Sequence, residues 1–308
     1  MGRRGTLRHA AAGDGGLPGT GAGLDARVLL GRPRRPRDPG RAAARGLVAL
    51  QVVIALIPVL VIGAWAFAAA WPWPSLAPRA LTTRGAELVL SGSQGAGLPL
   101  VLRSVGLSMA AAALSTLCAA LAARAVCCHG AWRPRHLVHF AALLPFVIPS
   151  TVFAMGVQVL FLRMGLARTV PGVVLAHAVA CLPYAMAIMV EVTGAAGTRL
   201  EDAARTSGAG WPAVLRHVTL PSLAPGLVGA LSMSFVVSMS QYFLTLLVGG
   251  GAVRTFALVL FPYLSGGDRT VAGAYGLAFI LVTTAVFLVF ELLLRRMRSL
   301  RSRELYGS

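Results

Sequence analysis

Few residues in this sequence of 308 residues have the type and spacing that catalysis or metal binding requires. Lysine is absent, which excludes a phosphate-binding loop of the G-x-x-x-x-G-K-[ST] type, and neither G-x-S-x-G nor H-E-x-x-H occurs. The four cysteines lack paired C-x-x-C spacing, and Cys127-Cys128-His129 is interpreted as buried or interfacial thiols beside a histidine. The sequence therefore predicts no catalytic residue, no metal site and no bound cofactor on this chain.

Two histidines, His139 and His177, lie within apolar segments and could take part in a proton relay. Such relays in membrane proteins usually contain carboxylates as well. No Asp or Glu lies near the middle of an apolar segment of this sequence. A proton-coupled mechanism is therefore not favoured.

Polar side chains within the apolar segments form a second set of candidate residues. Four of them recur at i, i+4, i+7 and i+11, which places them along one face of a helix. That stripe faces either a translocation route or a neighbouring helix, because intramembrane hydroxyls often bond helix to helix. Pro145, Pro149 and Pro183 predict kinks beside other polar groups. The candidate path residues are Ser150, Gln158 and Tyr184, together with the stripe of Ser234, Ser238, Gln241 and Thr245.

The elements that carry these residues are long apolar runs. Hydrophobic residues make up 56% of the sequence and charged residues only 12%, which is typical of a polytopic membrane protein. Each run is close to the roughly 20 residues that a helix needs to cross the hydrocarbon core of a bilayer. The sequence predicts an all-α membrane protein with about six transmembrane helices, at 47–71, 99–123, 137–162, 172–192, 223–248 and 271–294.

The distribution of arginine predicts which segments face the cytoplasm, since positive charge favours that side. All 28 basic residues are arginines. A cytoplasmic amino terminus leaves only seven of them outside and puts 10, 3, 3 and 5 inside, in residues 1–46, 124–136, 193–222 and 295–308. Both termini are therefore predicted to be cytoplasmic, with a disordered tail rich in Arg, Gly and Pro before the membrane domain and a basic tail after it. This charge pattern indicates orientation in a membrane, not nucleic-acid binding.

One polar stretch, LEDAARTSGAGWPAVLRHVTLP, separates the fourth and fifth apolar runs. Thr198 and Glu201 have the spacing of a capping box, so a helix is predicted to begin there. Gly208 and Gly210 are expected to end it, since glycine tolerates the left-handed conformation that closes a helix. Pro212 suits the first position of a second short helix. Two short helices at a glycine corner are too small to hold a core of their own, which predicts docking to a partner.

This stretch resembles the cytoplasmic EAA loop of permease subunits of ATP-binding-cassette importers. The family pattern is E-A-A, three residues, Gly, nine residues, Ile, one residue and Leu-Pro. Every spacing of this pattern is present here, in Asp202-Ala203-Ala204, Gly208, Val218 and Leu220-Pro221. Aspartate replaces the glutamate of the pattern, and valine replaces its isoleucine. The preceding Glu201 could equally supply the acid, so the identity of the working carboxylate stays open. The resemblance covers about residues 47–294, with the loop at 198–221.

The resemblance implies the following function and partners. In this family the loop forms a coupling helix that sits in a groove of the ATPase subunit. A solute would be imported by alternating access, with ATP and Mg²⁺ bound to that separate subunit. The implied partners also include a second permease subunit, identical or homologous, and an extracytoplasmic solute-binding protein, all at a bacterial inner membrane. The coupling residues that the resemblance assigns are Glu201, Asp202, Ala203, Ala204, Gly208, Ala209, Gly210, Trp211, Leu220 and Pro221.

The alternative function is a secondary transporter or channel that works alone. That alternative predicts inverted repeats and intramembrane ionisable groups, which the sequence does not display, and it leaves the spacing of the loop unexplained. Two further pieces, WPWPSLAP at 71–78 and SQYFLTLLVGGG at 240–251, are most similar to permeases that serve thiamine, polyamines, ferric iron or related small solutes. The sequence does not identify the solute within that group.

Overall fold

Helices make up almost all of the regular structure in this protein. A computed structural model describes residues 39–72, 74–75, 77–91, 97–128, 140, 144 and 147–306, with side chains between residues 44 and 296. The exception to helix in these residues is a short antiparallel pair, β1 (Ala68–Ala70) and β2 (Ala80–Leu81). The predicted all-α class is confirmed. His129, His139 and Pro145 lie outside the described residues.

The helices follow one another along the chain in three groups. The first group contains α1 (Pro39–Ala66), α2 (Arg84–Ser91) and α3 (Leu98–Cys128). The second contains α4 (Ser150–Arg163), α5 (Val170–Ala196), and the two short helices α6 (Arg199–Thr206) and α7 (Trp211–Val214). A π-helical turn (Leu215–Thr219) then joins α7 to the third group, which contains α8 (Leu220–Met239), α9 (Tyr242–Gly249), α10 (Phe256–Gly266) and α11 (Arg269–Tyr306).

Five helical stretches among the described residues are long and apolar enough to cross a membrane, whereas the sequence predicts about six. They are Ala44–Ala66, Leu98–Cys128, Val170–Ala196, Trp211–Met239 and Arg269–Arg296. The expected third span, 137–162, is described only in part, and α4 within it has 14 residues. The expected fifth span is interrupted, because α8 ends at Met239 and α9 begins at Tyr242.

Both predicted tails overlap helices. Helix α1 begins at Pro39 and so takes in the last eight residues of the tail predicted over 1–46, while residues 1–38 lie outside the described residues. Helix α11 continues as far as Tyr306, through most of the basic tail predicted over 295–308. The described residues from Ile54 onwards form one compact unit, and the described residues up to Val53 belong to another.

The core of the compact unit is formed by α3, α5 and α8, which pack against one another. Gly226 of α8 lies so close to α5 that a Cβ at this position would come within 2.8 Å of the Val192 side chain. Small residues allow this approach of helix backbones, which favours helix association in lipid. Small and flexible side chains share one cluster between the three helices: Ala119, Ala123, Ala185, Met186, Met189, Leu223 and Ala230. The loop between α5 and α8 is therefore attached to a closely packed frame.

Gly273 is a second point of close approach, where α11 crosses the end of α1. A Cβ at this position would lie 2.7 Å from the backbone nitrogen of Ala66 and 2.9 Å from the carbonyl carbon of Trp65. We expect Gly273→Ala to lower the free energy of unfolding by about 1–3 kcal/mol, because overpacking against backbone atoms forces the helices apart. Thermal unfolding of the purified protein in detergent measures this effect. Gly106→Ala is the matched control within α3, since a Cβ there meets nothing within 4 Å; an equal effect of both substitutions would contradict the prediction.

Candidate functional site

The loop between α5 and α8 contains two short helices separated by a glycine turn. Gly197 ends α5 with a φ of 59°, and α6 then runs from Arg199 to Thr206. Gly208 has a φ of 86°, in the left-handed region that favours glycine. The Ala209 amide reaches back to the carbonyl oxygen of Ala204, and α7 begins at Trp211 with Pro212 in its first turn. The predicted corner of two helices is therefore present, and Gly208 supplies its turn. Gly210 was expected to share this role, but it is extended, with a φ of −68° and a ψ of 158°, and directly precedes α7.

The predicted capping box is wrong. Thr198 precedes α6 in a helical conformation, with a φ of −106° and a ψ of −7°, and its side chain makes no capping hydrogen bond. The Glu201 carboxylate instead turns towards the helix bundle. It accepts hydrogen bonds of 2.8 and 2.9 Å from the two terminal nitrogens of Arg124, and one of 2.7 Å from the hydroxyl of Thr219. Tertiary partners have replaced the local amide that a capping box requires.

The arrangement of Arg124, Glu201 and Thr219 is called the anchor below. Glu201 is only 7% exposed, and the Arg124 side chain is 27% exposed. The hydrogen bonds from Arg124 lower the pKa of Glu201 to about 2, and the Thr219 hydroxyl acts in the same direction, whereas burial opposes them. The carboxylate is therefore ionised throughout the physiological range, and the bidentate pair fixes the loop to the end of α3.

A π-helical turn positions the third member of the anchor. The turn covers Leu215–Thr219 and lies inside an otherwise continuous helical stretch from Trp211 to Met239. Such a turn inserts an extra residue and changes which side chains face the core. Thr219 is 2% exposed, with its hydroxyl directed at Glu201. The turn thus connects the loop to the first residues of α8.

The loop has a buried base and an exposed surface. Trp211 is 66% exposed at the start of α7, although it is one of the largest apolar side chains in the loop. Asp202, the neighbour of the buried Glu201, is exposed as well. Among the residues that the resemblance assigns to coupling, Ala204 and Ala209 are half-buried, and the exposed ones are Asp202, Ala203, Gly208, Gly210, Trp211, Leu220 and Pro221.

A cavity of about 590 Å³ opens beside the interruption of the fifth span. Ser150 lies in it at the start of α4, and Tyr184 reaches it from α5. Ser240, Gln241 and Tyr242 line it at the break between α8 and α9. None of the described residues that line the cavity carries a charge. Hydroxyl, amide and aromatic groups therefore supply its polar contacts.

The seven candidate path residues fall into two groups. Ser150, Tyr184 and Gln241 line the cavity. Gln158 is half-buried in α4 and does not line it. The other members of the stripe are buried between helices, where Ser234, Ser238 and Thr245 are 0%, 2% and 0% exposed. The helix break at Ser240 turns Gln241 away from the three hydroxyls that a continuous helix would align with it.

The sequence of this chain matches a known family over more than half of its length. The match is to the family described as binding-protein-dependent transport system inner membrane component, and it covers residues 115–299. These residues include α5, the loop, the anchor and the helix break beside the cavity. The chain belongs to this family. It is a membrane-spanning permease subunit of an ATP-binding-cassette importer, and a stand-alone transporter is not favoured.

Relatives of this permease serve several systems. It is 25% identical over 195 residues to the spermidine/putrescine transport system permease protein PotC of Haemophilus influenzae, covering 63% of this chain and 76% of PotC. It is 25% identical over 262 residues to the putative 2-aminoethylphosphonate transport system permease protein PhnV of Salmonella typhimurium, covering 84% and 96%. It is 31% identical over 163 residues to the molybdenum transport system permease protein ModB of Mycobacterium tuberculosis, covering 48% and 60%.

A solved structure shares the fold of the permease. It is a bacterial ABC transporter involved in the import of the acidic polysaccharide alginate, and the TM-score is 0.57 with 14% sequence identity. The likeness covers 84% of this permease and 97% of the matched chain. An importer fold therefore extends over most of the chain.

Two members of the anchor were missed by the sequence analysis. Arg124 counted only as one of the arginines at a cytoplasmic loop, and Thr219 only as a spacer within the loop pattern. A signal for Arg124 does exist, because an arginine near the end of an apolar span needs either water or a carboxylate. The partner of Arg124 is Glu201, which lies 77 residues later in the sequence, and only the packing of α3 against the loop brings the two together.

Proposed function

We propose that the loop of this permease is the element through which a separate ATPase subunit drives transport. ATP and Mg²⁺ bind to that subunit, whose closure moves the loop and, through the anchor, the ends of α3 and α8. The helix bundle then changes between outward-open and inward-open states and releases a solute inwards. The permease itself performs no bond chemistry in this cycle.

The observation that carries this proposal is the contrast between the two sides of the loop. Its base is held by a bidentate ion pair and a buried hydroxyl bond, while Trp211 is largely exposed at its surface. A large exposed aromatic side chain on a rigid support is typical of the residues that contribute most to binding at protein interfaces. A rigid base transmits displacement of that surface to the helices, which a flexible loop would absorb.

The proposed assembly follows from the family and from the charge pattern. We assign the permease to a bacterial inner membrane with both termini in the cytoplasm, because its arginines are concentrated in the termini and in the loops on the same side. A second permease subunit, identical or homologous, completes the translocation route. An extracytoplasmic solute-binding protein delivers the solute, and lipid surrounds the bundle.

The proposed solute is small and polar. The cavity beside the break in the fifth span offers the Gln241 amide, the Ser150 hydroxyl and the Tyr184 ring. Relatives are named for spermidine and putrescine, 2-aminoethylphosphonate and molybdenum. Uptake of spermidine, 2-aminoethylphosphonate and molybdate by cells that express the permease with its cognate ATPase and binding protein tests this group; no uptake of any of the three would exclude them.

Coupling through the loop is tested by substitution of one glycine and by a matched glycine control. Gly208 has a φ of 86°, and a Cβ added there would meet nothing within 4 Å, so Gly208→Ala strains the backbone without creating a clash. The left-handed conformation costs a non-glycine residue about 1–2 kcal/mol. We expect at least a severalfold loss of ATP-driven uptake, because the turn that presents α7 is displaced. Uptake per ATP hydrolysed in proteoliposomes measures the effect.

Gly194→Ala is the matched control for this substitution. Gly194 lies in α5, outside the coupling residues, and a Cβ there would meet nothing within 4 Å. Uptake by this variant is expected to equal that of the parent. If Gly208→Ala also retains full uptake and full recovery of the ATPase with the permease, the loop is not the coupling element.

A further inference from the structure

The interruption of the fifth span lies beside α5, whose Ala180 and Tyr184 line the same cavity. Ser240 and Gln241 separate α8 from α9, and Gln241 leaves the helical conformation with a ψ of 80°. Both residues line the cavity. The position of this short break therefore decides the shape of one wall of the cavity.

His177 of α5 contacts both sides of the break. Its Nδ1 atom lies 2.9 Å from the Ser238 hydroxyl at the end of α8, and its Nε2 atom lies 2.9 Å from the Thr245 hydroxyl in α9. The ring is 1% exposed. One imidazole thus joins the two helices that the break separates.

The direction of these hydrogen bonds follows from a third one. The Thr245 hydroxyl donates its proton to the carbonyl oxygen of Gln241, so it accepts a hydrogen bond from Nε2–H of His177. A neutral imidazole has one N–H, which leaves Nδ1 to accept from the Ser238 hydroxyl. The result is a directed chain from Ser238 through His177 and Thr245 to the Gln241 backbone, which we call the histidine relay.

Such bonding is not a general property of buried hydroxyls in this protein. Thr193 of α5 and Ser234 of α8 are also buried, and their hydroxyls have no hydrogen-bond partner in the part of the chain that the structure describes. The three groups around His177 are instead fully matched in donors and acceptors. A histidine is suited to this place because its two nitrogens form bonds in divergent directions from one rigid ring.

We propose that His177 is a positioning residue for transport, which holds α8, the break and α9 as one body against α5 and so fixes the Gln241 wall of the cavity. The role in transport rests on the proposed function, in which this cavity lies on the solute route. The relay predicts different effects for two amide replacements. Glutamine in place of His177 reaches the position of Nε2 and can still donate to Thr245, whereas the shorter asparagine reaches only the position of Nδ1.

The test measures the accessibility of the wall by thiol labelling. Gln241→Cys retains the backbone carbonyl that ends the relay and places a thiol in the cavity. The full complex with the ATPase, purified and free of nucleotide, is treated with a methanethiosulfonate that carries a trimethylammonium group. The reaction rate at residue 241 is compared among Thr245→Val, Thr245→Ser, His177→Asn and His177→Gln backgrounds. Protein without the cysteine at 241 gives the background from the native thiols.

The expected rates separate the relay from simple packing. Thr245→Val and His177→Asn each raise the rate about fivefold, the size of effect that loss of one buried hydrogen bond produces in an equilibrium. Thr245→Ser retains the hydroxyl that accepts from His177 and donates to the Gln241 carbonyl. His177→Gln retains the donor to Thr245, which is the bond that leads to the Gln241 backbone, so both variants leave the rate near that of the parent. Thr193→Val is the matched control, because it removes a buried hydroxyl of α5 that has no partner among the described residues, and its rate is unchanged.

Equal rates in Thr245→Val, Thr193→Val and the parent would overturn the relay. Equal rates in His177→Asn and His177→Gln would do so as well, since only the glutamine amide reaches Thr245. The labelling requires no transport. A permease that shows the expected rates but imports no solute with its ATPase would therefore contradict the proposed function and leave the relay intact.

Discussion

Replacing Glu201 by glutamine is expected to destabilise the permease by about 2–3 kcal/mol and to uncouple ATP hydrolysis from uptake. The substitution leaves the Arg124 guanidinium at the end of α3 without its carboxylate, and removal of one partner from a fully buried ion pair costs about 3–5 kcal/mol. The expected effect is smaller because the Arg124 side chain is 27% exposed and reaches water. Thermal unfolding of the complex and uptake per ATP hydrolysed measure the two effects.

Asp202→Asn is the control, because Asp202 is the exposed neighbour that the family pattern aligns with its acidic position. We expect this variant to retain the stability of the parent. A double-mutant cycle with Arg124→Gln isolates the ion pair, and the double variant should be more stable than the sum of the two single losses predicts. Equal destabilisation by Asp202→Asn and Glu201→Gln would contradict the assignment of Glu201 as the carboxylate of the anchor.

The same anchor predicts a dependence of stability on pH. The pKa of Glu201 is lowered in the folded protein from its ordinary value of 4.5 to about 2. The stabilisation is therefore complete above pH 4.5 and is lost as the pH falls from there towards 2, because the unfolded chain binds the proton first. Glu201→Gln removes this component, so the difference in stability between parent and variant should shrink over that range.

Replacing Trp211 by alanine is expected to weaken binding of the ATPase about 30-fold or more while leaving the permease folded. Trp211 is 66% exposed, so its removal creates no cavity in the core. Loss of a central aromatic side chain from a protein interface costs about 2 kcal/mol or more, and each 1.4 kcal/mol is about tenfold in affinity. Binding of purified ATPase to the permease in lipid nanodiscs measures the change.

Phe67→Ala is the control for the tryptophan variant. Phe67 is 45% exposed and follows α1, at the end of the bundle where α1 crosses the first residues of α11. This end is remote from the loop, since α3 runs the length of the bundle between them. Its removal should not change ATPase binding. Unchanged binding by Trp211→Ala would show that the exposed surface of the loop does not dock to the ATPase.

Several elements follow from residue patterns alone. Five of the six predicted spans contain or overlap a helix long enough to cross a membrane, because apolar length is a local property of the sequence. The loop and its Gly208 corner are also local, since only glycine readily adopts a φ of 86°. The strict EAA spacing led from these elements to the family, and the family profile confirms it.

Other features depended on contacts that no local pattern contains. The capping box failed because Glu201 found stronger partners than the Thr198 amide. Local spacing also favours Arg205, one helical turn after Glu201, but the hydrogen bonds come from Arg124. In both cases tertiary packing overrode a local preference. The break before α4 at Pro149 is different, because the prolines of the third span predict a kink there.

The sequence by itself determined that this protein is a helical membrane permease with an EAA-type loop between two spans. Apolar runs and turn residues act over a few neighbouring positions, and the distribution of arginine follows from counting along the chain. Each of these patterns can therefore be read directly from the sequence. Only the tertiary structure decided that Glu201 is the buried acid and Asp202 the exposed one. It also divided the polar stripe, burying Ser238 and Thr245 against His177 and leaving Gln241 in the cavity. The reason is that burial and hydrogen bonding depend on which helices are neighbours, and the decisive partners are 77 and 68 residues apart.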